Sequence, residues 1–167
     1  MRNKDKYHVS DTLIVFGTNI RKARQTQNLT ISELADRAKY YKGCLSSAEY
    51  GKQNLCYEKA VGLARALDVP FPDLFSRNFM NDDANGYNGF SEPFQEDKFL
   101  LVFVDNYKRE LTAQNLKQTN VYNATGQDRV VINRILNQKN CNPTITTLAA
   151  LASVTGSELY TLFSRNI

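Results

Sequence analysis

Apolar residues recur along this chain at helical spacing. Leu13, Phe16, Ile20 and Ala23 follow steps of three and four, the signature of one buried stripe on an amphipathic helix. Thr30-Ile31-Ser32-Glu33 has the S/T-x-x-E form of a capping box, in which the Thr hydroxyl takes the Glu33 amide and the Glu carboxylate returns to the Thr30 amide. A second helix is therefore expected to begin near Ile31. Lys39-Tyr40-Tyr41-Lys42-Gly43 breaks its Leu34, Ala35, Ala38 stripe, and a third helix is expected over about 42–50, before Gly51. Val61, Leu63, Ala64 and Leu67 mark a fourth over 57–67, and after Asp68-Val69-Pro70 a short last helix holds Phe71, Leu74 and Phe75. No segment shows convincing strand alternation, so the pattern predicts an all-α protein.

Sliding the chain along itself reveals an internal repeat. Leu13, Val15, Phe16, Asn19, Gln27, Asn28 and Leu29 return 87 places later as Leu100, Val102, Phe103, Asn106, Gln114, Asn115 and Leu116. Further on the offset is 88: Leu63, Ala64, Leu74, Phe75, Ser76, Arg77 and Asn78 return as Leu151, Ala152, Leu162, Phe163, Ser164, Arg165 and Asn166. One residue has been inserted, most simply where Gly51-Lys52-Gln53-Asn54 becomes Gln138-Lys139-Asn140-Cys141-Asn142, a polar, turn-like stretch that tolerates insertion. The repeat predicts two modules of about five helices, over 12–78 and 99–167, joined by a linker over 79–98. That linker is rich in Asn, Asp and Gly, although Tyr87, Phe90 and Phe94 suggest that part of it lies against a module.

Charge sharpens this division. Residues 1–80 carry a balance of +5, 81–98 of −4 and 99–167 of +3, within a net charge of +4. Two basic segments joined by an acidic one suit a chain that meets a polyanion through its ends. No stretch reaches the roughly 18 apolar residues of a membrane span, and Met1-Arg2-Asn3-Lys4-Asp5-Lys6 leads into no apolar signal core, so no membrane partner and a cytoplasmic location are expected.

Against this frame, Leu29-Thr30-Ile31-Ser32-Glu33-Leu34-Ala35-Asp36-Arg37-Ala38 followed by Leu45-Ser46-Ser47-Ala48-Glu49-Tyr50-Gly51-Lys52-Gln53-Asn54 resembles the XRE-type helix-turn-helix of Cro, phage repressors and restriction-modification controller proteins. Leu63-Ala64-Arg65-Ala66-Leu67-Asp68-Val69-Pro70 and Asp73-Leu74-Phe75 are similar to that family's closing helices. The resemblance covers about 16–75. In the second copy Asp128-Arg129-Val130-Val131-Ile132-Asn133-Arg134-Ile135 resembles a recognition helix, and Asn142-Pro143-Thr144-Ile145-Thr146-Thr147-Leu148 the entry into the fourth helix. It departs from the family where Tyr122 replaces a small residue and Leu136 an acidic one.

The resemblance implies two tandem lambda-repressor-like modules and a transcriptional regulator whose partner is double-stranded DNA, with no cofactor. The third helix enters the major groove when Ala35 gives the second helix close packing and Leu45 anchors the third. By family position Tyr41, Lys42, Gly43, Ser46 and Ser47 face the DNA, while Glu49 braces the fold. Lys52, Gln53 and Asn54, just beyond, suit phosphate contact. In the second copy, which gives either a second DNA contact or assembly, Gln118, Gln127, Arg129, Asn133 and Arg134 suit base edges, Gln and Asn pairing with adenine and Arg with guanine. Assembly is expected as a homodimer or as an intramolecular pseudo-dimer, with Phe71, Leu74 and Phe75 and Leu159, Leu162 and Phe163 as the contact between modules. The rival reading is a protein-interaction module, an antitoxin or accessory factor, that kept the fold without specific DNA binding.

An enzyme is not expected. His8 is the single histidine, no glycine-rich phosphate loop is present, and the carboxylates are scattered. Cys44, Cys56 and Cys141 lack C-x-x-C spacing, so a zinc site lacks ligands.

Overall fold

The structure, a computed structural model, describes residues 9–80 and 92–165. His8, Tyr87 and Phe90 lie outside them. Among the described residues every regular element is helical: α1 (Val9–Thr26), α2 (Ile31–Arg37), α3 (Lys42–Glu49), α4 (Tyr57–Leu67), then two 3₁₀ turns (Pro72–Phe75 and Arg77–Met80), α5 (Phe99–Ala113), α6 (Gln118–Thr125), α7 (Arg129–Leu136), α8 (Ile145–Thr155) and α9 (Leu159–Phe163). The chain is all-α, and no described helix is long and apolar enough to cross a membrane. α1 starts three residues before position 12, where the first module was expected to begin, and the fifth element of the first copy is a 3₁₀ turn because Pro72 opens a four-residue segment too short for an α-helix.

Local chemistry accounts for the boundaries. The capping box on α2 is present in full: Thr30 Oγ1 accepts from the Glu33 N–H at 3.2 Å, and the Thr30 N–H donates to the Glu33 carboxylate at 2.7 Å. The bonds from the Thr30 N–H and hydroxyl lower the Glu33 carboxyl from its ordinary pKa. Left-handed residues end or join helices at matched places: Asn28 and Asn115, Lys39 and Gly126, Gly51 and Gln138, Asp68 and Gly156 all have positive φ. Each pair stands 87 or 88 positions apart. Asn140, also at positive φ, has no counterpart and lies where the repeat gained its residue.

Equivalent residues also make equivalent long-range bonds. Asn19 is fully buried and donates through Nδ2 to the carbonyls of Leu74 (3.0 Å) and Ser76 (2.9 Å); Asn106 does the same to Leu162 (3.0 Å) and Ser164 (2.9 Å). Gln27 donates to the Leu67 carbonyl, and Gln114 to that of Thr155. In both halves these amides tie the first helix to the closing segments.

The halves share one continuous hydrophobic core. Phe71, Phe75, Phe99, Phe103 and Phe163 form an aromatic cluster at its centre, with Phe71–Phe163 centroids 4.9 Å apart and Phe75–Phe163 5.4 Å. Phe71, Phe75 and Phe163, three of the six apolar positions expected at the contact between modules, thus join the two halves within one chain. Near them, Cys56 and Thr144 form an isolated antiparallel bridge: the Tyr57 N–H donates to the Pro143 carbonyl (2.8 Å) and the Ile145 N–H to that of Leu55 (2.9 Å). Cys56 and Thr144 are repeat equivalents, so an approximate two-fold axis passes through this bridge.

The symmetry is broken around α1, among other places. α1 lies directly against α8, whereas the corresponding pair, α4 and α5, is spaced by Tyr57, whose hydroxyl accepts from the Leu100 N–H at 3.3 Å. Gly17 lets α1 touch α3, since a Cβ there would lie 2.1 Å from the Ala48 carbonyl oxygen. Its equivalent is the buried Val104, and α5 and α7 are not in comparably close contact.

Candidate nucleic-acid interface

In each half a short helix, a turn and a second short helix present one polar surface. The turn before α3 passes through Lys39 in the left-handed region, and Tyr41 then occupies the N-cap with no side-chain capping bond. Tyr41 is 79% exposed. Lys42 and Gly43 are exposed and Ser46 and Ser47 half-buried, on the opposite side of α3 from the anchors Leu45 and Ala48. A Cβ on Gly43 would meet only the Tyr41 ring, at 3.5 Å, so packing does not require glycine there.

Glu49 is turned inward. It is 1% exposed along its side chain and accepts two bonds from Arg24, at 2.5 Å from Nε and 2.9 Å from Nη2, which fixes the end of α3 to α1. The bond that Arg24 donates to Glu49 holds the Arg24 guanidinium above its ordinary pKa against the opposing effect of burial. The second half has Leu111 and Leu136 at these two places, both buried. An ion pair in one copy is replaced by two buried apolar side chains in the other.

Lys52 is exposed and Gln53 half-buried, just past α3. Asn54, expected beside them as a phosphate contact, is committed elsewhere. Its Oδ1 accepts from the Thr146 N–H at 3.2 Å and its Nδ2 donates to Thr146 Oγ1 at 2.7 Å. Its equivalent, Asn142, accepts from the Glu58 N–H and donates to the Glu58 carboxylate, both at 3.0 Å. Each half thereby caps the fourth helix of the other, which satisfies N–H groups that a helix leaves unpaired at its start.

In the second half Asp128 caps α7 by accepting from the Val130 N–H at 2.6 Å. Asn133 Oδ1 accepts from Gln118 Nε2 and from the Tyr122 hydroxyl, each at 2.7 Å, and the Arg129 guanidinium lies 5.3 Å from the Tyr122 ring centroid. Gln118, Asn133 and Arg129 are thus brought together. Gln127 sits half-buried in the turn, where its N–H donates to Thr125 Oγ1, and Arg134 is exposed. Tyr122 occupies the place of Ala35 yet does not fill the core. Its ring lies between α6 and α7, which are more widely separated than α2 and α3.

Two residues on this surface were not singled out from the sequence. Val130 (57% exposed) and Val131 (39% exposed) stand at the places of Gly43 and Cys44. The repeat carried the signal, because only Ile132 in the run Val130-Val131-Ile132 aligns with the buried anchor Leu45.

Among the described residues, Lys42, Lys52, Arg134 and Lys139 form no ion pair on this side. On the linker side, Arg65 is paired with Glu96 at 2.8 Å and Arg165 with Asp97 at 2.5 Å. Phe94 lies under Arg65 and against Phe99, and its N–H donates to Asp68, which seats this part of the linker on the junction. Glu96 and Asp97 of the linker are therefore spent on cations away from the helix pairs. No group of His, Cys, Asp and Glu among the described residues could hold a metal ion. In comparisons with known proteins, no family model, no curated protein and no solved structure matches the chain.

Proposed function

We propose that the chain is a sequence-specific DNA-binding transcriptional regulator of the lambda repressor and Cro kind, in which two unlike helix-turn-helix modules form an intramolecular pseudo-dimer. The observation that carries this reading is the reciprocal Cys56–Thr144 bridge, which relates α3 and α7 by an approximate two-fold axis. Both helices expose cations and hydrogen-bonding groups, and both lead within a few residues into that bridge. Cys56 stands seven positions after Glu49, and Thr144 eight positions after Leu136. At about 3.3–3.6 Å per residue the two helix ends lie at most about 60 Å apart, which accommodates the ~34–36 Å between successive major-groove faces.

The chemistry supports the same assignment. Lysine and arginine left without carboxylate partners bind phosphates and release counterions, while side chains on the first turns of α3 and α7 reach base edges. Lys42, Ser46 and Ser47 are the base-reading candidates of the first module, Lys52 and Gln53 its phosphate contacts, and Arg129, Asn133 and Arg134 those of the second module's helix. Asn54 belongs to the junction.

Binding of the whole chain to duplexes selected from a random library, measured against salt, tests this. The expected result is affinity that falls steeply with salt, with Lys52→Ala reducing the slope of log K against log salt by about one and weakening all sequences alike. Lys42→Ala is expected to weaken the selected site more than random duplex. No binding to any duplex at low salt would reject the reading in favour of a protein-interaction module.

A further inference from the structure

The second module carries a side-chain amide whose acceptor is already occupied. Asn133 Oδ1 receives hydrogen bonds from Gln118 Nε2 and Tyr122 Oη, both at 2.7 Å. An amide oxygen has two lone pairs, and these two donors use both. Asn133 is left with the two N–H groups of Nδ2. The bidentate pairing of Asn with adenine needs the opposite arrangement at the oxygen, which must accept from the adenine N6–H while the nitrogen donates to N7. As it is held here, Asn133 cannot make it.

The neighbours keep the network in this sense. A guanidinium over an aromatic face draws electron density from the ring, and Arg129 over Tyr122 therefore makes the phenol a better donor toward Asn133. Arg129 stands four residues before Asn133, on the same face of α7, and offers donors alone. Arg134, exposed beside Asn133, also offers donors alone. Beyond the N-cap Asp128, whose Oδ1 is taken by the Val130 N–H, the polar side chains exposed on the first two turns of α7 are thus rich in donors and poor in free acceptors. In the major groove guanine is the base that presents two acceptors, N7 and O6, and no donor.

We infer that α7 reads guanine, with Arg129 and Asn133 as the specificity-determining residues and Gln118 and Tyr122 as positioning residues that fix the Asn133 amide as a donor. This rests on the DNA-binding reading and specifies one half of its site. The first module lacks the device: Ile31, Ala35, Lys42 and Ser46 occupy the places of Gln118, Tyr122, Arg129 and Asn133. A single chain therefore reads a guanine-containing half-site on one side of its two-fold axis and a different sequence on the other.

Site selection from a random duplex library with the full chain and with Asn133→Asp tests this. The native chain is expected to enrich guanine at a position that depends on residue 133. Asn133→Asp, which replaces the donors by acceptors, is expected to move that position toward cytosine, whose N4–H₂ donates, changing the guanine-to-cytosine ratio by about tenfold or more and leaving the other half-site unchanged. Tyr122→Phe keeps the ring under Arg129 but frees Asn133, so guanine preference falls severalfold. A duplex carrying 7-deazaguanine at the selected position, which lacks N7, is expected to bind the native chain about fivefold or more weakly, a readout independent of any variant's folding. Adenine at the residue-133-dependent position, or no position that responds, would overturn the inference while leaving DNA binding intact. Absence of binding to every duplex would overturn the DNA-binding reading itself.

Discussion

Cys56 faces Thr144 across an antiparallel bridge, and Thr144 is the residue that occupies the place of Cys56 in the second copy of the repeat. A residue paired with its own equivalent lies on a symmetry axis. Here that axis runs inside one chain, through the bridge and the tilted contact of Phe75 with its equivalent Phe163. The surface around this axis is filled by the chain's own other half.

The Arg24–Glu49 pair and its replacement by Leu111 and Leu136 define a natural double-mutant comparison. Glu49→Leu alone leaves a nearly buried guanidinium without its partner and is expected to destabilise the fold by about 3–5 kcal/mol. Arg24→Leu with Glu49→Leu copies the second half and is expected to be near neutral or stabilising by about 1–4 kcal/mol. Urea unfolding followed by circular dichroism measures both. A double variant as unstable as the single one would show that the pair does more than fill this space.

Asn54 separates two roles that make opposite predictions. As a cap on α8 from the other half, Asn54→Ala is expected to lose about 0.5–2 kcal/mol of stability, with Asn142→Ala losing a similar amount. DNA affinity under conditions where the protein is fully folded is expected to change little. A large loss of affinity with unchanged stability would restore Asn54 to the phosphate-contacting set.

Phe163→Ala opens a hole beside Phe71, Phe75 and Phe103 and is expected to cost about 3–5 kcal/mol. Because the core is continuous, hydrogen exchange is expected to show weakened protection in α1 and α4 as well as in α5 and α8. Loss confined to the second half would mean that the two halves unfold independently.

Much of the fold was legible because it is local or repetitive. The Phe16–Ile20–Ala23 stripe, the Thr30–Glu33 box and the 57–67 helix depend on spacings of a few residues, and the observed α4 matches its expected range. The inward Glu49 was legible from the family resemblance, and the contact of Phe71 and Phe75 with Phe163 from repeated apolar positions. What the chain did not disclose depends on partners far away in sequence. Asn54 meets Thr146 across 92 positions, and its polar, turn-like surroundings read equally well as a loop beside DNA. Tyr122 read as a misfit in the place of Ala35. The hydrogen bond to Asn133 and the Arg129 contact that accommodate it arise only once α6 and α7 are placed side by side.

The most direct test of the account is the stoichiometry on a selected site, by sedimentation velocity, together with hydroxyl-radical footprinting of the same complex. One chain per duplex is predicted, protecting two adjacent stretches of unlike sequence about one helical turn apart, with Lys42→Ala weakening one stretch and Arg129→Ala the other. Two chains on a palindromic site, with the Arg129 variant leaving both stretches protected as before, would contradict it.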